Sequence, residues 1–79
     1  MSQHPFPPKD SFDGGTLDCG NGLLLLIRKH IDPLAGGELL EILSAESSVA
    51  EDLPAWCRLT GNELVSTVEG EGRMSFLVS

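Results

Sequence analysis

The chain has no tyrosine, one tryptophan and three phenylalanines, so aliphatic side chains must fill most of any core. Positive charge is equally sparse. Five Lys and Arg stand against twelve Asp and Glu, a net charge of −7. Such a surface repels phosphates and anionic lipid, which argues against direct nucleic-acid binding and against a membrane function. The adjacent pair Arg28-Lys29 is the one candidate basic patch. Only two cysteines occur, Cys19 and Cys57, far apart in sequence. That is too few for a disulfide scaffold and points to free thiols in a reducing, cytoplasmic setting. No Cys-x-x-Cys or His-x-x-x-His spacing exists, so neither zinc nor another cofactor is expected. The longest apolar run, Leu23 to Ile27, falls far short of a bilayer. Met1 to Asp10 is polar and proline-rich, without a signal-peptide pattern. A soluble cytoplasmic protein is the expectation.

Seventy-nine residues of ordinary apolar content suffice for one domain with a modest core. Pro5, Pro7 and Pro8 favour an extended, flexible N-terminal tail over residues 1–10, leaving 11–79 as the folded domain. Ser11 to Leu17 is a strand candidate that Gly14 and Gly15 shorten or bulge. Cys19 to Gly22 reads as a turn. From Leu23 the residues Leu24, Ile27, Ile31 and Leu34 recur at helical spacing, with Leu23, Leu26 and His30 flanking that face and Leu25 opposite. Pro33 ends this helix and Gly36-Gly37 turns the chain. Glu38 to Ala45 is apolar on both faces, as an interior strand is. Ser48-Val49-Ala50-Glu51 has the form of a capping box. The helix after it runs to Gly61 and places Leu53, Trp56, Cys57 and Thr60 on one face, with Pro54 awkward inside it. Glu63 to Glu69 and Arg73 to Val78 alternate about a Gly70-Glu71-Gly72 turn, which makes a hairpin. The order is β-α-β-α-β-β. Both helices need an apolar surface and one sheet is available, so the expected fold is a two-layer α/β sandwich. The helices lie on one face and leave the other largely exposed.

Chemistry concentrates at Cys19. The first N–H groups of a helix are unpaired and favour negative charge, so a thiol beside them loses its proton more readily. The glycines of Cys19-Gly20-Asn21-Gly22 leave room for an approaching molecule, and their N–H groups can cradle an anionic sulfur. Asp18 opposes this, because an adjacent carboxylate disfavours the thiolate. Cys57, on the inner face of its helix, is expected to be packed and inert. His30 has no evident carboxylate partner in sequence and receives no catalytic role.

The stretch Glu51-Asp52-Leu53-Pro54-Ala55-Trp56-Cys57-Arg58-Leu59-Thr60-Gly61-Asn62-Glu63-Leu64 resembles the TusA/SirA-like family of small sulfur-carrier proteins. The family pattern there is Asp-Ile-Pro, an aromatic-Cys pair, then Thr-Gly-His-Glu-Leu. Phe12-Asp13 is similar to the family's Leu-Asp opening, and Cys19 follows at the expected distance. Arg28-Lys29 resembles the basic pair of the first helix, and Gly37-Glu38 the Gly-Glu before the second strand. The likeness spans about Ser11 to Val78. It implies a mixed four-stranded sheet ordered 1-2-4-3. It also implies that Cys19 accepts sulfur as a persulfide, from a donor such as a cysteine desulfurase, and passes it to an acceptor protein. Gly20, Asn21, Gly22 and Arg28 would shape that site, in a monomer. The family's Cys-Pro-x-Pro reads Cys-Gly-Asn-Gly here, with both prolines replaced by glycine and one extra residue before Arg28. The alternative is a non-catalytic interaction module that keeps the fold without the relay.

Overall fold

The computed structural model describes residues 4–79. The elements run β1 (Asp10–Asp13), a one-turn 3-10 helix (Cys19–Asn21), α1 (Leu23–Ile31), β2 (Leu40–Ser44), α2 (Val49–Thr60), β3 (Leu64–Gly70) and β4 (Arg73–Val78). The strands form a four-stranded mixed sheet of order β1-β2-β4-β3, the order the family resemblance implies. β1 and β2 are parallel, joined across α1, while β4 is antiparallel to both β2 and β3.

Register decides what each face carries. Phe12 pairs with Ile42, Ile42 with Phe76 and Leu40 with Val78, so these residues share one face. Leu40, Ile42, Phe76 and Val78 join Leu23 and Ile27 of α1, and Val49, Leu53 and Cys57 of α2, in a single buried core cluster. The two helices thus bury their apolar stripes against the same side of the sheet.

The element ends show where local rules prevailed. β1 stops at Asp13, well short of Leu17, because Gly14 turns the chain under α1. A Cβ on Gly14 would lie 2.8 Å from Leu23 Cδ1 and 3.3 Å from the Leu43 carbonyl oxygen. Only glycine lets the first residue of α1 sit this close to the sheet. α1 ends at Ile31 with Asp32 as its C-cap, directly before Pro33. Its buried centre is Leu23 and Ile27, with Leu24, Ile31 and Leu34 packed at the margin and Leu25 74% exposed. The expected face is therefore rotated towards Leu23.

α2 begins at Val49 and tolerates Pro54 in its interior. The capping box does not form. Ser48 makes no side-chain cap; instead its N–H and hydroxyl both donate to Glu46 Oε2, at 3.1 and 2.6 Å. These bonds hold the Glu46 carboxyl below its ordinary pKa. Glu46, just ahead of the first turn, thus accepts the Ser48 N–H that the box assigns to the Glu51 side chain. In β3 an irregularity between Leu64 and Ser66 breaks the alternation, so Leu64 faces the helices while Ser66 and Val68 face away.

The face opposite the helices is less open than expected. Leu77 is fully buried there, and Glu41, its cross-strand neighbour, is only 8% exposed. Residues 1–3 of the expected tail lie outside the described residues. Of the remainder, Asp10 belongs to β1, the Lys9 N–H donates to the Leu39 carbonyl at 2.7 Å, and the His4 side chain is buried against the sheet.

Candidate functional site

Cys19 opens the short 3-10 helix, after the Gly14-Gly15 turn has carried the chain from β1 towards α1. Asp18 precedes it in extended backbone, and its carbonyl accepts the Leu23 N–H at 3.3 Å, which closes the loop onto α1. Gly22 joins the two helices at φ 102°, in the left-handed region where an L side chain is strained. Proline, with φ fixed near −65°, cannot take this backbone at all. The glycine at the second position of the family's missing proline pair is thus required by the turn that this chain makes. Gly20 is exposed, which leaves the approach to Cys19 unshielded on that side.

Cys19 is partly exposed and packs its inner side on the core cluster; Cys57 is 2% exposed and wholly inside. Both thiols are free. The expected loss of the Cys19 proton is not found. Burial of the sulfur, then the negative charges of Asp52 and Asp18, push the Cys19 thiol above the ordinary cysteine value. The physical reason is the split start of the helix. The element that begins at Cys19 is one turn long, so it has little dipole, and α1 proper begins only at Leu23. Asp52, from the first turn of α2, is brought against the site by tertiary packing. Cys57 is also pushed up, by burial alone.

Of the expected site residues, Gly20 and Gly22 flank Cys19 in the turn, and the side chain of Asn21 lies outside the described residues. Arg28 does not join them. It lies in the last turn of α1 and lines a shallow depression with Ile31, Asp32, Trp56, Thr60 and Asn62, where the C-terminal ends of both helices meet. Thr60 there donates to the Trp56 carbonyl at 2.8 Å and Asn62 Nδ2 to Thr60 Oγ1 at 2.7 Å. His30 does have a carboxylate partner. Its Nδ1 lies 2.9 Å from Asp10 Oδ2, and its ring stacks on Phe12 with centroids 4.6 Å apart. The partner comes from a strand twenty residues upstream, so no local spacing could reveal it.

Charge is unevenly spread along the helix layer, with Asp32 the acidic exception beside Arg28. Asp18, Glu51 and Asp52 lie at the Cys19 end, in or before the first turns. Arg28, Lys29 and Arg58 lie in the last turns, at the other end. Lys9 and Arg73 pair with Glu38 and Asp13, whereas none of those three makes an ion pair among the described residues.

A mixed 1-2-4-3 sheet, two helices in one core and a partly exposed thiol on the turn into the first helix define a small cysteine-bearing α+β protein. The chain belongs to the TusA family: the family model described as Sulfurtransferase TusA matches residues 22–79. The sulfur carrier protein TusA of Pseudomonas putida is 29% identical over 73 residues, 92% of this chain and 90% of the relative. The protein of that name from Pseudomonas paraeruginosa is 35% identical over 60 residues, 76% of this chain and 75% of the relative. That of Allochromatium vinosum is 27% identical over 66 residues, covering 84% and 86%. The family match begins at Gly22, so α1 to β4 carry it and the Cys19-Gly20-Asn21 turn lies just outside.

Proposed function

We propose that this protein is a sulfur carrier that accepts sulfur on Cys19 as a persulfide and passes it to a partner protein. The observation that carries the reading is the contrast between the thiols within a TusA-family chain: Cys19 is reachable on a glycine turn and Cys57 is not. In loading, the Cys19 sulfur attacks the outer sulfur of a donor protein's cysteine persulfide. The donor's S–S bond breaks, a new S–S bond forms at Cys19, and the donor leaves as a thiol with the proton Cys19 gave up. Unloading is the same exchange with an acceptor thiol, and no net oxidation occurs. A cysteine desulfurase is the donor class that supplies such a persulfide. Both cysteines are free, which suits the cytoplasm. The exchange involves one thiol of one chain, and we infer a monomer.

The setting of Cys19 says when it reacts. Burial, Asp52 and Asp18 keep the thiol protonated in the free protein. A partner surface that brings positive charge against Asp18 and Asp52 offsets the part of that opposition that the two carboxylates contribute. Arg28, Lys29 and Arg58 at the far end favour acidic groups on the same partner, so the bipolar layer helps to orient docking. Loading is then favoured only where a donor is docked.

The test is incubation with a cysteine desulfurase and free cysteine, followed by intact mass measurement. Addition of one sulfur atom to the wild-type chain and none to Cys19→Ala is expected. Equal addition to both would overturn the assignment. The raised thiol and the glycine turn favour one competing reading, an interaction module without the relay. It expects no addition to either chain, with partner binding unchanged by Cys19→Ala.

A further inference from the structure

The face of the sheet away from the helices holds a polar cluster that sulfur carriage does not use. Glu41, on the central strand β2, is 8% exposed, and a carboxylate so placed needs hydrogen-bond partners. Ser11 Oγ of β1 donates to its Oε1 at 3.1 Å, and Ser75 Oγ of β4 donates to its Oε2 at 2.7 Å. His4 Nε2 lies 2.7 Å from Ser75 Oγ and 3.9 Å from Glu41 Oε2, with its side chain fully buried. One carboxylate therefore ties together the N-terminal segment, the first strand and the last strand.

β1 is the element that most needs such a tie. It is four residues long, lies at the sheet edge and pairs with β2 alone. Its other side-chain ties, Asp10 to His30 and Asp13 to Arg73, are half exposed on at least one partner, so water competes for them; Ser11 is exposed too, but its acceptor Glu41 is sheltered. The chain leaves β1 through Gly14 and Gly15 and reaches Cys19 after Thr16, Leu17 and Asp18. Whatever fixes β1 also fixes one end of that turn.

We propose that the His4–Ser75–Glu41–Ser11 cluster is a buckle, buried at His4 and Glu41, that straps residues 4–9 across the outer sheet face and holds edge strand β1 in place, which makes Glu41 and His4 positioning residues for the Cys19 turn. The strap is pinned at both ends, by His4 at the cluster and by Lys9 at the Leu39 carbonyl and Glu38. Three prolines stiffen the span between. The outer face is then occupied from within the chain, and partners meet the helix side. The relevance to sulfur transfer rests on Cys19 being the carrier thiol; the buckle itself does not.

The two histidines and two cysteines provide the test within the full chain. Diethyl pyrocarbonate is expected to modify His30 quickly and His4 slowly. In His4→Ala and Glu41→Ala, trypsin should cut after Lys9 about tenfold faster, as leaving a buried hydrogen-bonding partner unsatisfied predicts for local opening. Iodoacetamide should alkylate Cys19 faster by a similar factor. Buried Cys57 reports global unfolding, and its alkylation should stay slow. If Glu41→Ala exposes Cys57 too, His4→Ala and Ser11→Ala decide the matter. Equal modification of His4 and His30 in the wild type would overturn the buckle. Unchanged Cys19 alkylation in His4→Ala and Ser11→Ala, with Cys57 protected, would overturn the link to the site. Neither readout involves sulfur loading, so failure here is separate from failure of the carrier assignment.

Discussion

Cys19 and Cys57 are one side chain in two settings. Cys57 lies on a regular helix, i+4 from Leu53 and i+8 from Val49, and helical periodicity alone sends it into the core. Cys19 lies on a turn built from glycines, where periodicity has nothing to say. Burial pushes both thiols up, but only Cys19 has two carboxylates acting on it from outside the core. Burial is the larger opposition at both thiols, but the share that Asp52 and Asp18 add at Cys19 can be offset by a counter-charge, and Cys57 has no such share. On the proposed function, a docked partner completes the activation that Cys19 lacks at rest.

The largest effect expected is on alkylation. In native protein at neutral pH, iodoacetamide should label Cys19 and leave Cys57 untouched until denaturant is added, as peptide mass mapping would show. Equal labelling would erase the contrast. Next come the packing residues. Leu53→Ala and Phe76→Ala remove side chains that are 0% and 1% exposed and should each cost about 2–5 kcal/mol in urea unfolding. Cys57→Ser, which buries a hydroxyl in the same cluster, should cost about 1–3 kcal/mol. Cys19→Ser should cost measurably less.

Asp52→Asn sharpens the comparison further. Removing that charge should lower the Cys19 pKa, increase its thiolate fraction and speed its alkylation at neutral pH, shifting the pH–rate profile to lower pH with Cys57 unmoved. The smallest effect belongs to the surface ties of β1. His30 and the Ser11 N–H hold the Asp10 carboxyl below its ordinary value, and Arg73 and the Gly15 N–H do the same for Asp13. Depressed carboxyls stabilise the fold above their unfolded pKa, about 4, and lose that contribution as pH falls through the lower folded value. Thermal midpoints should therefore drop slightly between pH 5 and strong acid, and less so in Asp10→Asn.

Much of this molecule was legible before any fold was known. Alternation in Leu40–Ser44 and Arg73–Val78, and the Gly70-Glu71-Gly72 turn, identify strands because strand side chains must face two ways. The motif around Trp56 and Cys57 carried the family likeness, and the family match covers that region. Other features resisted. The capping box failed because Glu46, outside the four-residue pattern, competes better for the Ser48 donors. The Leu64–Ser66 irregularity reversed an alternation that looked regular, since a bulge leaves no reliable mark in composition. His30 and Arg28 show the same limit from opposite sides. His30 acquired a partner from a distant strand, and Arg28 was drawn to the far end of the helix layer from Cys19.

By itself, the sequence determined the number and order of elements, the packed fate of Cys57 and the turn at Cys19, because each follows from spacing and from glycine and proline stereochemistry. Tertiary structure alone decided the state of the Cys19 thiol, the partner of His30 and the burial of His4 and Glu41. Each of these depends on a charge or hydrogen bond delivered from an element remote in sequence, and such energies act through space over a few ångströms, not along the chain.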